Sequence, residues 1–335
     1  MKTLAKAICA LTIIASLSAC NDEWKDELYE QMVSLKSPDN SEGVYDIYLR
    51  YSDSGEATYR LPVIISGTRD NDRDYDVRIS VDNDTLTLFN REKYLDRTDL
   101  YYRQLEADHY SLGNGHCHIP AGSNTEPFVI TFNLSGIDFV DKWILPLKIE
   151  SDPAYVINTY KGRGKALLNI NLFNDFSGTY SSTAMNIYFQ GENTSPSVVD
   201  KRTARVVDAN TIFMYAGVTW EEDIDRRDYK MLIHFGEGTP DEEGNITGAL
   251  TLEAADPANP IALRATGECT YEIRRVADPQ KPYLMHYYVV LHLNYTYQDI
   301  TTNPDSPITY RATGSMTMER QINTLIPDED QAVQW

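Results

Sequence analysis

The chain has 335 residues, above the span of one ordinary domain, so two domains are expected. Hydrophobic residues at 42% and aromatics at 11% exclude wholesale disorder. A formal net charge of -20 excludes a general nucleic-acid binder, because neutralising phosphates needs an excess of Lys and Arg, while sugars remain compatible partners. The 23 tyrosines against 9 phenylalanines suit strands and sugar-facing surfaces alike.

The chain opens as an address. Lys2 and Lys6 supply a positive start and residues 8–17 a short apolar stretch, followed by Leu17-Ser18-Ala19-Cys20. This layout resembles a bacterial lipobox. It predicts a signal peptide over residues 1–19 and a lipidated, palmitate-type anchor on Cys20. The next residues, Asn21-Asp22-Glu23-Trp24-Lys25-Asp26-Glu27, resemble the surface-export signal of Bacteroidota lipoproteins, with a plain solvated tether as the alternative. Beyond Ala19 no apolar run of about 18 residues appears, so no membrane-spanning helix is expected in the body of the chain. Cys117 and Cys269 fall in different halves and are read as two free, buried thiols.

Strand signals then dominate. Residues 44–51 and 57–65 flank the turn Asp53-Ser54-Gly55-Glu56 as a hairpin. Residues 76–82 alternate polar and apolar, the mark of a half-buried strand. Residues 90–108 alone have helical character, with Leu95, Tyr101, Tyr102 and Leu105 on one face; they read as a short helix or structured excursion. Strands follow at 127–134, 143–150 and 165–170, and this spacing suggests a sandwich. A boundary falls at residues 171–175 without a Gly/Ser linker, so the two units should abut. The second unit carries strand runs at 206–215, 229–235, 246–253, 268–276, 282–297 and 315–320. These fit an up-and-down barrel, with a second sandwich as the alternative. Residues 327–335 read as a frayed polar tail.

The first unit resembles a known domain. The resemblance rests on Tyr59-Arg60-Leu61-Pro62-Val63 with Ser66-Gly67-Thr68, on Ile119-Pro120-Ala121-Gly122-Ser123, and on Asp141-Lys142-Trp143-Ile144-Leu145-Pro146-Leu147-Lys148-Ile149. It is similar to the immunoglobulin-like domain that precedes the catalytic barrel in surface endo-β-N-acetylglucosaminidases of Bacteroidota, and that also occurs in non-catalytic surface glycan-binding lipoproteins. From Asn174-Asp175-Phe176-Ser177-Gly178-Thr179-Tyr180 onward the chain resembles the lipocalin-like domain that often accompanies it. The resemblance implies an outer-membrane lipoprotein of a glycan-uptake system of the starch-utilisation type, beside a transporter and companion lipoproteins or glycosidases. The enzymes continue into a TIM barrel of about 250 residues, which the remaining β-rich sequence does not supply. Their Asp-x-x-Asp-x-Asp-x-Glu signature is absent too, and Glu221-Glu222-Asp223-Ile224-Asp225 does not match it. The expectation is therefore no catalysis and no cofactor.

The expected fold is all-β: tether 20–31, immunoglobulin-like β-sandwich 32–172, lipocalin-like β-barrel 173–326, tail 327–335. His109, His116, Cys117 and His118 lack a second ligand pair, so no metal site is expected. Asp70-Asn71-Asp72-Arg73-Asp74-Tyr75-Asp76 lacks the Gly and Glu of a calcium loop and reads as a polar turn. No Gly-x-Ser-x-Gly elbow appears, and Gly162-Arg163-Gly164-Lys165 lacks phosphate-loop spacing. The binding hypothesis falls on aromatics, because pyranose C–H faces pack on rings while sugar hydroxyls seek polar side chains. Trp220 sits in a turn-like segment rich in polar residues and is either a sugar platform or core packing at a strand end; Tyr215, Asp223 and Arg226 are its candidate neighbours. In the run from Pro282, Tyr287, Val289, Leu291, Leu293, Tyr295 and Tyr297 share one face and His286, Tyr288, Val290 and His292 the other. If the mixed face lines a lumen, Tyr288 and His292 join the site; otherwise the apolar face fills the core. The reading is glycan capture at the outer-membrane surface. The alternatives are an adaptor lipoprotein that binds no sugar and a glycoside hydrolase on a β scaffold.

Overall fold

The computed structural model describes residues 29–36 and 43–334. The expected signal peptide, Cys20 and the acidic cluster behind it lie outside the described residues. Among those described, no helix is long and apolar enough to cross a membrane.

The first half comprises β1 (Met32–Leu35), β2 (Val44–Arg50), β3 (Glu56–Ser66), β4 (Tyr75–Val81), helix α1 (Asn83–Tyr94), β5 (Arg103–Gln104), β6 (Tyr110–Ser111), β7 (His116–Ile119), β8 (Thr125–Asn133), β9 (Trp143–Ile149), β10 (Val156–Ile157) and β11 (Lys165–Phe173). One sheet has the order β10-β1-β3-β8-β6 and the other β2-β11-β9-β4-β7. Leu61, Val63, Ile130 and Phe132 of the first sheet meet Val77, Leu145, Leu147 and Leu168 of the second in one buried core. Period-two burial on β8 is the signature of a strand with one solvated face. β9 is buried almost throughout because both its faces are covered. Leu145 and Leu147 face the inter-sheet core, whereas Ile144 faces Leu86 and Tyr102 beneath α1.

The helix starts earlier than the apolar spacing predicts. Asp82 caps it, accepting from Thr85 N at 3.4 Å and Thr85 Oγ1 at 2.6 Å. Asn90 then pins it, donating to Tyr102 O and accepting from Tyr102 N, each at 2.9 Å. The face expected from Leu95, Tyr101, Tyr102 and Leu105 does not exist: Leu95 ends the helix at φ 52 and is 71% exposed, while Tyr102 and Leu105 are buried from extended or irregular backbone.

The second half carries β12 (Gly178–Phe189), β13 (Lys201–Asp208), β14 (Thr211–Tyr215), β15 (Lys230–Pro240), β16 (Ile246–Ala254), β17 (Arg264–Ala265), β18 (Thr270–Ala277), β19 (Leu284–Asp299), β20 (Ile308–Asn323), α2 (Glu329–Ala332) and β21 (Val333–Gln334). Eight strands close into a barrel in the order β19-β18-β16-β15-β14-β13-β12-β20, with β20 returning to β19 along its full length. This selects the barrel over a second sandwich. The tail is not frayed: Asp328 caps α2, and Val333 and Gln334 pair with Ile322 and Gln321.

The two units interlock. Phe213 and Tyr215 of β14 are part of the sandwich core, and Leu232 of β15 packs against it. Arg227 bridges Asp138 at 2.9 Å and Asp141 at 2.6 Å, and Lys230 reaches Asp138 at 2.8 Å. The barrel lies beside the Glu56 end of β3, where Gly55 and Ser135 share a groove with Val207 and Phe213. β1 enters at the other end, Met32 opposite Ser66. A strand rises about 3.3 Å per residue, so the entry point and the barrel contact are separated by the length of the 11-residue β3.

Candidate site at the barrel rim

The barrel has no open lumen. Tyr180, Met214, Met231, Phe235, Leu291, Tyr295 and Tyr297 fill it. The apolar face of β19 points inward and its mixed face outward, which corrects the placement of Tyr288 and His292. His292 is exposed, and Tyr288 stacks on His286 at 6.1 Å outside the barrel. The reason is packing: six apolar or phenolic side chains on one face out-compete a face carrying two histidines.

The 216–229 segment joins β14 to β15 at the rim. It begins at Gly217, whose φ of +60 and missing Cβ let the Tyr297 ring seat against the backbone. Tyr295 Oη accepts from Gly217 N at 3.0 Å. Arg202 points inward from β13 and donates to Gly217 O and Thr219 O. Asp223 Oδ2 accepts from Trp220 N at 2.7 Å, and Asp223 N donates back to Trp220 O at 3.2 Å. This closed turn holds Trp220 with its side chain outward, 56% exposed, and the Arg202 guanidinium lies 5.7 Å from its ring.

Beneath Trp220 is a groove of about 420 Å³ lined by Lys201, Arg202, Thr203, Tyr215, Trp220, Glu221 and Glu222. Burial acts to raise the Glu221 pKa, but Arg205, Thr203 and Lys142 together hold its carboxyl below the usual range. Burial depresses the Lys142 ammonium, helped by Arg205 and Lys93 and opposed by Glu221 and Glu222. The other flank of the same loop faces a second cavity of about 510 Å³, lined by Glu222, Asp223, Asp225, Tyr229, Asp299 and Arg97 among others.

The structure therefore gathers Trp220, Tyr215 and Asp223 at one loop but gives them unequal access. Tyr215 is only 7% exposed; it contributes to the groove floor and packs edge-on to Phe213, and burial pushes its phenol up to about 12. Arg226 is 6% exposed and donates to Asp223 O at 3.1 Å and to Asp99 O of the sandwich at 2.9 Å. Its guanidinium is thus an interdomain clasp, a correction to its expected place beside a ligand. Lys201, Arg202 and Glu221 line the groove and were not singled out from sequence. The parity of β13 carried a signal for Arg202: it shares a face with Ala204, which is in the barrel core, and Val206, which pairs with Ile212, while Thr203 and Arg205 lie on the other face beside Glu221.

The other constellations stay apart from this loop. His116 and His118 are exposed on β7 while Cys117 is buried between them, and burial pushes its thiol up to about 11. His109 Nδ1 lies 2.7 Å from Asn133 O and His118 Nδ1 3.0 Å from Asp76. Glu106 and Asp108 come near His109 on the surface, and nothing more is built there. Asp70 and Asp74 accept from Asn124 Nδ2 at 2.7 Å and Ala121 N at 2.8 Å, so that acidic run braces a turn. Trp143 packs against the sandwich core with its indole N–H on Asp138 O at 2.9 Å.

Comparison with other proteins bears on the whole chain. The model of a domain of unknown function, DUF4973, matches residues 24–153, and a second model, of a C-terminal domain, matches residues 164–317. No curated protein matches the chain. Among solved structures, a multidomain protein including DUF1735 from Bacteroides ovatus is 42% identical with a TM-score of 0.80, covering 91% of this chain and 100% of its own. An auxiliary nutrient binding protein from Bacteroides thetaiotaomicron is 31% identical with a TM-score of 0.77, covering 89% of this chain and 98% of its own. A protein of unknown function from Bacteroides ovatus is 32% identical with a TM-score of 0.76, covering 93% and 97%. The chain, whose own first half matches the DUF4973 model, belongs to the family of these Bacteroides proteins.

Proposed function

We propose that this protein is a non-catalytic, lipid-anchored lipoprotein of the outer membrane that captures glycan for an uptake system, with Trp220 as the stacking platform. The observation that carries the reading is the half-exposed Trp220, fixed by Asp223 and Arg202 above a groove of about 420 Å³ with polar walls. A rigid ring beside hydrogen-bonding side chains suits a pyranose, whose C–H face stacks while its hydroxyls find donors and acceptors. The auxiliary nutrient binding protein among the relatives supports an accessory role in nutrient uptake. The entry of β1 at the Ser66 end of β3, away from the groove that the sandwich shares with the barrel, supports an anchor on the side of the sandwich remote from that contact. A transporter and companion surface proteins are the expected partners.

The test is a glycan-array screen of the soluble chain beginning after Cys20, with titration calorimetry on any hit and a product assay on the same mixture. Binding without cleavage, lost in Trp220→Ala, is the expected result. Cleavage would move the protein to the hydrolases, and no binding at all would leave the adaptor role.

A further inference from the structure

The two flanks of the Trp220 loop differ in charge, in a chain whose formal net charge is -20. One flank is acidic, with Glu222, Asp223, Asp225 and Asp299 around a single Arg97. The other is a basic island. Lys201 and Arg202 line its groove, and Arg205 and Lys142 stand behind Glu221. Of the two carboxylates that line it, Glu222 is shared with the acidic flank and Glu221 is committed. Glu221 accepts from Arg205 and Thr203. Arg202 spends its N–H groups on the neutral carbonyls of Gly217 and Thr219, so its charge meets no carboxylate in contact. The Lys142 ammonium lies 5.7 Å from the Tyr102 ring and makes no ion pair among the described residues. Lys201 makes none either.

We propose that the groove beneath Trp220 receives the acidic group, a carboxylate or a sulfate, of an anionic oligosaccharide whose neighbouring ring stacks on Trp220. This rests on the glycan-capture reading and adds a substrate class to it. Two physical points favour it. Charges are screened beyond about 8 Å at physiological ionic strength, so the balance at the groove is set by Lys201, Arg202, Arg205 and Lys142 against Glu221 and Glu222 and not by the chain's net charge. Burial has also stripped water from Arg202 and Lys142, depressing the pKa of each, and an anion entering the groove would restore the counter-charge that the fold leaves out. The Trp220 ring and Lys201 line the same groove, so a stacked sugar and its acidic substituent could be met together.

The test uses the full chain and paired probes: uronate-, sialate- and sulfate-bearing oligosaccharides, each with its carboxyl-reduced or desulfated counterpart. Titration at low and high salt should show an acidic member binding about tenfold or more tighter than its neutral partner, with the gap shrinking as salt rises. Lys201→Gln, at an exposed position, should narrow that gap several-fold, and so should Lys142→Gln. Carboxylate and sulfate pairs report separately on the two sources of the charge. If neutral members bind as tightly as acidic ones in a Trp220-dependent way, this inference falls while glycan capture stands. If acidic members bind but neither lysine substitution changes the gap, the groove is not the acid's site and the inference falls. If no member of any pair binds, both readings fall.

Discussion

The barrel interior at Tyr295 and Tyr297 and the rim groove at Trp220 are both built from aromatic rings with polar tips. Inside, each hydroxyl is committed: Tyr295 accepts from Gly217 N at 3.0 Å and Tyr297 from Val218 N at 3.4 Å, and the rings fill the lumen. At the rim the commitments run through the backbone of Trp220 instead, leaving its indole face to solvent. In this closed barrel with a filled interior, packed rings and an exposed ring thus meet at one loop. The same loop is clamped by rings from below and presents one above. The glycan-capture proposal accordingly puts the ligand on the rim and not in the lumen.

That separation can be broken at several points. The largest effect is expected for Phe213→Ala, which empties a fully buried site shared by barrel and sandwich. It should cost about 3–5 kcal/mol and resolve one thermal transition into two in calorimetry; a single unchanged transition would show that the domains are not coupled through β14. Gly217→Ala comes next, since its Cβ would fall inside the Tyr297 ring at a positive φ. We expect a loss of about 2–3 kcal/mol together with loss of glycan binding, measured by denaturant titration and calorimetry; retention of both would mean that the loop is not clamped from below. The interdomain ion pairs should appear as a pH dependence. Burial raises the Asp138 pKa, but the hydrogen bond from Lys230 and the charges of Lys230 and Arg227 leave it below its ordinary value. A depressed folded pKa gives stability that is complete above the unfolded value of about 3.9 and lost as pH falls through the folded one. Asp138→Asn should therefore be less stable than the parent at neutral pH, with the gap closing below about pH 4; a gap that persists in acid would place the effect elsewhere. The smallest stability effect belongs to Trp220→Ala, within about 0.5 kcal/mol of the parent. A large destabilisation there would mean that Trp220 is structural and would collapse the distinction between rim and interior.

The strands were legible where one physical rule acted alone. Residues 76–82 and 127–134 follow the period of a half-buried strand and are found as β4 and β8. The parity of β19 was legible as well, but which of its faces turned inward was not, because that depends on what the other seven barrel strands bury. The helix was misplaced because the apolar spacing around Leu95 was followed, whereas the Asp82 cap is what sets its start. At the rim, the sequence left Trp220 open between an exposed platform and core packing, and its 56% exposure selects against core packing. Arg226 was misread because its partner, Asp99 O, lies on the other domain.

Sequence alone determined the β class and the two unpaired thiols. Each of these follows from local periodicity, turn chemistry or composition, which act between neighbours in the chain. Tertiary structure decided that the barrel closes on itself and fills its lumen, that Tyr215 and Arg226 serve the domain junction, and that Lys201, Arg202, Arg205 and Lys142 form one basic island. Those outcomes depend on residues far apart in sequence competing for the same buried space, and on charges whose meaning is set only by which carboxylates and carbonyls the fold brings within reach.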